Sequence, residues 1–173
     1  LQVDFNMPEA FDLKYAGEDN QDHRPVMLHR AILGSLERFI GVYLEHCAGH
    51  LPTWLSPVQV QILNVTERQD AFCTEVRTAL NKQGVRVHYD SRGEKLGFKI
   101  REAQLQKVPY MLIVGDKESD AKTLSVRSRT GKVKDGVAPK EFAELILEEI
   151  KNRSLESAMF PQDVVQHNQE VSN

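Results

Sequence analysis

Residues 108–114 read Val-Pro-Tyr-Met-Leu-Ile-Val, an apolar run of strand length. A half-exposed strand alternates in polarity. A run apolar at nearly every position suits a strand covered on both faces, and so a sheet with helices above and below it. The flanking sequence supplies those helices. Residues 58–65 form another apolar strand segment. Thr66 then opens a helix to about Gln83: Thr66 and Gln69 make a capping box, and Phe72, Val76 and Leu80 recur on one face. Gly84 stops it. Residues 85–89 read as a strand, 90–93 as a turn, and 95–107 as a helix with Leu96, Ile100, Ala103 and Leu105 apolar. Gly115-Asp116 breaks the 108–114 strand. Residues 123–129 alternate and enter a turn at Thr130-Gly131. Pro139 starts a helix to about Arg153, with Phe142, Leu145, Ile146 and Ile150 inward. Strands separated by helices predict an α/β domain with a mostly parallel or mixed sheet.

The first third is organised differently. Residues 1–5 read as a strand end, 6–23 as polar sequence with turn signals at 16–20, and 26–32 as a strand. Gly34-Ser35 breaks that strand and caps a helix whose face carries Leu36, Phe39, Ile40, Tyr43, Leu44 and Cys47. Gly49 stops it. Residues 51–57, with prolines at 52 and 57, read as an extended linker, and a domain boundary is placed there. The expected division is 1–51, a linker 52–57, an α/β domain 58–155 and a polar, frayed tail 156–173.

With 173 residues, 40% of them hydrophobic, the chain can bury a core without covalent staples. Two cysteines, Cys47 and Cys73, exclude a disulfide scaffold and a four-cysteine zinc site. No apolar run reaches the ~18–20 residues of a membrane helix, and no secretory signal is present. The cytosol is therefore the default compartment. The chain begins at Leu1, in strand-like sequence and without methionine, and so reads as a piece of something longer. Its net charge of −3 hides an asymmetry. Residues 86–134 hold twelve Lys/Arg against six acids, which leaves the remainder strongly acidic. A basic stretch in an acidic chain fits a polyanionic partner; the alternative is a solvated face of mixed charge.

The densest local pattern is His29-Arg30-Ala31-Ile32-Leu33-Gly34-Ser35-Leu36-Glu37-Arg38-Phe39: a strand, a glycine break, and a helix start bearing Ser35 and Arg38. Helix N-termini suit phosphate, and an arginine there adds a planar cation for phosphate contact or base stacking. An ordinary capped helix with a surface arginine gives the same spacing.

This pattern resembles motif 3 of the class II aminoacyl-tRNA synthetases, here as Gly34-Ser35-Leu36-Glu37-Arg38. The segments HRPVMLHRAILGSLERF, HLPTWLSPVQV, EKLGFKIREAQLQKVPYML and VGDKE are similar, more narrowly, to the threonyl-tRNA synthetase family, from Leu1 to about Arg153. The resemblance implies a strand–helix piece of an antiparallel-sheet catalytic domain. An anticodon-binding domain would follow it, with a mixed five-stranded sheet and about three helices. It implies a parent enzyme that activates threonine with ATP and Mg2+ and charges threonine tRNA, as a cytoplasmic homodimer.

The resemblance also assigns roles. His29 matches a ligand of the active-site zinc, a metal that neutral imidazole binds well. A zinc that takes the amino group and hydroxyl of threonine together would reject valine. Arg38 matches the arginine that binds ATP, Ser35 a serine lining the ATP and amino-acid pocket, and Gln2 a glutamine near its substrate end. Glu118 and Arg127 match anticodon contacts, and as a carboxylate and a guanidinium on adjacent segments they are a pair suited to one guanine. Arg92, Lys95, Lys99, Arg101 and Arg129 are candidates for backbone or base contacts.

The sequence departs from the family at Gly93, where an asparagine usually makes an anticodon contact. Motifs 1 and 2 and the other two zinc ligands are not among these residues. The 173 residues alone are therefore expected not to hold zinc tightly and not to aminoacylate. A non-catalytic tRNA-binding module or synthetase-like paralogue is the alternative, and the presence of His29, Ser35 and Arg38 together speaks against it. A prolyl or histidyl enzyme is disfavoured by the histidine of VMLHRAILGS.

Overall fold

The computed structural model describes residues 1–161. The expectation of a frayed end therefore falls, for residues 162–173, outside the described residues. The chain divides into two compact units, Leu1–Tyr43 and Leu44–Asn173.

In the first unit, β1 (Gln2–Asp4) pairs antiparallel with β4 (Met27–His29). Between them lie the short helix α1 (Asn6–Ala10) and a two-residue hairpin, β2 (Tyr15–Ala16) with β3 (Asp22–His23). The polar segment 6–23 is thus more ordered than its composition suggests. Helix α2 (Leu36–His46) begins where Ser35 predicts, and its apolar face forms as expected. Leu36, Phe39 and Ile40 of that face are exposed, however, and of residues 1–43 only Pro8 is buried. This unit has almost no core of its own.

The second unit is built on five strands: β5 (Val60–Asn64), β6 (Val87–Asp90), β7 (Tyr110–Val114), β8 (Leu124–Ser128) and β9 (Val133–Val137). Their order is β6-β5-β7-β8-β9, with the first three parallel and the last three antiparallel. The apolar run at 108–114 becomes β7 at the centre, and its two faces enter two different cores. Tyr110, Leu112 and Val114 join Val60, Ile62, Leu124 and Val126 beneath α3 (Asp70–Lys82) and α6 (Pro139–Lys151). Met111 joins Leu63 beneath Ala103 of α4 (Leu96–Leu105). Burial on both sides explains why no polar residue interrupts the run.

Thr66 and Gln69 make the capping box, with the Thr66 N–H donating to Gln69 Oε1 at 2.8 Å. The first turn, Glu67–Gln69, is a tighter 3-10 turn that leads into α3. Gly84 stops that helix at φ +85, a left-handed conformation that favours glycine.

Three details differ from the sequence reading. Residues 51–57 are not extended: Leu55 and Ser56 donate back to the Pro52 carbonyl, and Arg86 clamps the Ser56 carbonyl at 2.7 Å. Proline fixes φ at a value that a turn also accepts, so a proline pair does not by itself mean an extended chain. A short helix, α5 (Asp116–Ala121), follows the Gly115 break. The expected polar tail at 156 begins instead as packed structure. Phe160 is buried in the main core, and Ser157 Oγ lies 2.6 Å from the Tyr110 hydroxyl.

Candidate nucleic-acid interface

In the first unit, the register sets Gln2 opposite His29. Asp4 ties the two ends of the ribbon together. Its Oδ1 accepts the N–H groups of Asn6 and Met7, which caps α1, and its Oδ2 lies 3.1 Å from His29 Nε2. The Met7 N–H, helped by His29 and the Asn6 N–H, holds the Asp4 carboxyl below its ordinary value. An ionised Asp4 can only accept, so Nε2 of His29 is the donor in this pair. Sequence reasoning missed this role of Asp4. Its signal was an aspartate placed just ahead of a helix start.

The resemblance assigns zinc to His29. Among the described residues, no three His, Cys, Asp or Glu side chains come together as metal ligands. These residues do not fit a complete zinc site, and His29 offers one donor only. Ser35 caps α2, with the Arg38 N–H 3.4 Å from its Oγ. Its hydroxyl also donates to Glu37 Oε2 at 2.7 Å, which lowers the Glu37 carboxyl. Arg38 stands exposed one turn into the helix.

In the second unit, the loops after the parallel strands β5, β6 and β7 leave the same edge of the sheet. This is the edge at which open α/β sheets hold ligands. A cavity of about 370 Å³ lies there, between residues 64–68, the turn 92–94 and Lys99. Lys99 is not a surface contact as expected: it is only 1% exposed. Its ammonium donates to Asn64 Oδ1 at 2.7 Å and to the carbonyls of Asn64 and Asp90 at 3.3 and 3.2 Å. It ties the ends of β5 and β6 together. A lysine stem of four methylenes buries easily when its tip finds acceptors. Arg92 is likewise engaged, gripping Asp90 with two nitrogens and reaching Glu102. Its side chain holds the buried Asp90 carboxyl below the usual range. Lys95 and Arg101 stand exposed on and before α4. At Gly93 an added Cβ would meet nothing within 4 Å, so a longer side chain would fit.

Glu118 caps its own helix, accepting the Gly115 N–H at 2.9 Å. It lies at the end of the β7–β8 pair where β8 begins, since the Thr123 N–H bonds the Glu118 carbonyl. Arg127 lies at the other end, opposite Met111. Four strand residues separate those levels, roughly 13 Å. The guanidinium also points onward: a Cβ on Gly131 would stand 3.3 Å from Arg127 Nη2 and 4.0 Å from Gln104 Nε2. The two residues thus stand at opposite ends of the β7–β8 pair. Arg127 Nε is buried with no hydrogen-bond partner. Arg129 donates to the Leu51 carbonyl at 2.9 Å, and its own carbonyl accepts from Gln104 at 3.4 Å.

Comparison with known proteins agrees with this geometry. Residues 59–149 match the family described as the anticodon binding domain, and residues 1–47 match the class II tRNA synthetase core domain of the G, H, P, S and T enzymes. Threonine–tRNA ligase of Bdellovibrio bacteriovorus is 63% identical over 159 residues, covering 92% of this chain and 24% of that protein. The Clostridium novyi enzyme is 52% identical over 154 residues, covering 89% and 24%. Among solved structures, the RNA binding domain of threonyl-tRNA synthetase from Cryptosporidium parvum superimposes with a TM-score of 0.71 at 36% identity, covering 86% of this chain and 38% of that one. The chain thus spans about a quarter of the length of the curated relatives it matches. Through residues 59–149 the chain belongs to the anticodon binding domain family, and its residues 1–47 match the class II core domain.

Proposed function

We propose that the chain is the tRNA-reading portion of a threonine–tRNA ligase, whose parent activates threonine with ATP and transfers it to threonine tRNA. The observation that carries this reading is the anticodon-binding family match over residues 59–149 on a sheet that presents Arg127 with an unpartnered buried Nε. Ser35, Arg38, Gln2 and His29 supply the motif 3 side of the catalytic pocket in this reading. ATP with Mg2+, zinc on His29, a second copy of the chain and a cytoplasmic setting belong to the same proposal and rest on the resemblance. Class II chemistry positions phosphates and a carboxylate and uses no side-chain nucleophile.

Fluorescence anisotropy tests the reading, with one labelled stem-loop carrying a threonine anticodon and another of the same composition with the anticodon scrambled. Preference for the cognate loop is expected. Equal binding to both, falling together as salt rises, would mean that the basic stretch contributes charge and no anticodon reading.

A further inference from the structure

We propose that Gln104 of α4 is a second reader beside Arg127, its side-chain carbonyl accepting the amino group of the base whose oxygen Arg127 holds. This rests on the anticodon-binding reading above. The ligand is an unpaired guanine of the anticodon loop, a base that sets an acceptor beside donors on one edge.

Strand β8 and helix α4 bring the two side chains to one place. Arg127 pairs in register with Met111 of β7 and Val133 of β9. Opposite residues of antiparallel strands share a face, so the arginine stem leaves the sheet between those two side chains. Its guanidinium ends against the β8–β9 turn, where a Cβ on Gly131 would stand 3.3 Å from Nη2 and 3.9 Å from Cζ. The same Cβ would stand 4.0 Å from Gln104 Nε2. One missing side chain therefore marks the point at which the ends of Arg127 and Gln104 converge. The turn that sets this point is well held. The Gly131 N–H donates to the Ser128 carbonyl at 3.0 Å, the Ser128 N–H donates to the Lys132 carbonyl at 2.8 Å, and Ser128 Oγ lies 2.9 Å from Thr130 Oγ1. Gly131 sits at φ +96, a conformation that favours glycine.

Both side chains carry unused hydrogen-bonding capacity. Among the described residues the Arg127 guanidinium makes no hydrogen bond, and its Nε is buried. The half-buried Gln104 donates from Nε2 to the Arg129 carbonyl at 3.4 Å. That bond fixes which way the amide faces, and its Oε1 accepts nothing among the described residues. A donor fork thus stands beside an open acceptor. Guanine complements the pair: its O6 accepts from Arg127, and its amino group donates to Gln104 Oε1. Adenine carries an amino group where guanine has O6, so it would meet the guanidinium donor to donor.

The experiment pairs one protein group with one base group. Anisotropy gives Kd for three stem-loops: the cognate loop, the same loop with inosine for the anticodon guanosine, and the scrambled loop. Inosine removes the amino group and keeps O6. Wild-type chain is expected to bind the guanosine loop about two- to tenfold more tightly than the inosine loop, the range of one neutral hydrogen bond. Gln104→Leu should bind both with the affinity that wild type shows for inosine. Its thermal midpoint should stay within about 2 °C of wild type, because only a 3.4 Å bond is lost. Equal wild-type binding of the guanosine and inosine loops overturns the inference, and that arm needs no variant to fold. So does a guanosine preference that survives in Gln104→Leu. An equal loss for both loops in Gln104→Leu also overturns it, since Gln104 would then act only by placing Arg127 through the Arg129 carbonyl. If wild type prefers the cognate loop to the scrambled one yet ignores inosine, only this inference fails. If cognate and scrambled loops bind alike, the anticodon-binding reading fails with it.

Discussion

Lys99→Met is expected to destabilise the second unit by about 3 kcal/mol and to lower its thermal midpoint by roughly 10 °C. Methionine keeps the length and apolar stem of lysine, so packing in the groove between β5 and β6 is largely retained. What is lost is the ammonium that satisfies Asn64 Oδ1 and the carbonyls of Asn64 and Asp90. Each buried acceptor left without a donor costs about 1–3 kcal/mol. Asn64 Nδ2 also donates to Asp70 Oδ1, and the Tyr89 hydroxyl donates to the same oxygen at 2.5 Å, so the disturbance spreads from the strand ends into the start of α3. Urea or thermal unfolding followed by circular dichroism measures the effect. A change below about 1 kcal/mol would mean that water enters the 370 Å³ cavity and replaces the ammonium.

Arg127→Ala should behave in the opposite way. The chain should keep its stability, because Arg127 Nε has no hydrogen-bond partner to lose. Affinity for the cognate stem-loop should fall about ten- to a hundredfold, the 1–3 kcal/mol of a base-reading guanidinium. The scrambled loop should lose far less. Equal losses for both loops would make Arg127 a phosphate contact and remove it as a reader. Arg127→Lys is a useful companion. Lysine keeps the charge but not the planar fork, so it should recover little of the cognate preference.

Much of the fold was legible because single-residue signals agreed with periodicity. The capping box at Thr66 and Gln69, the stop at Gly84 and the doubly apolar run of β7 each marked an element that formed. The missed elements are short and polar. Strand β9, Val-Lys-Asp-Gly-Val, buries only Val137, and it is a strand because β8 offers it an edge to pair with. Helix α5 is six residues long, although Glu118 three residues after Gly115 was a readable cap. The site was less legible than the fold. A charged residue in a count of twelve looks like surface until the chain folds, and Lys99 is buried only because it falls where β5 and β6 both end.

The mixed sheet has a kinetic consequence. Strands β8 and β9 are joined by the short turn 129–132, and β7 and β8 by residues 115–123 with α5 among them, so their pairing closes short loops, that of β8 with β9 on the microsecond scale of hairpins. Strands β5 and β7, by contrast, pair across the whole of α3, β6 and α4. That pairing must first overcome the closure entropy of a loop roughly five to ten times longer. The meander that displays Arg127 and Arg129 is thus the fast half of the sheet. The parallel half, with its Lys99 tie, is the slow half that sets how quickly the whole surface becomes competent to dock RNA.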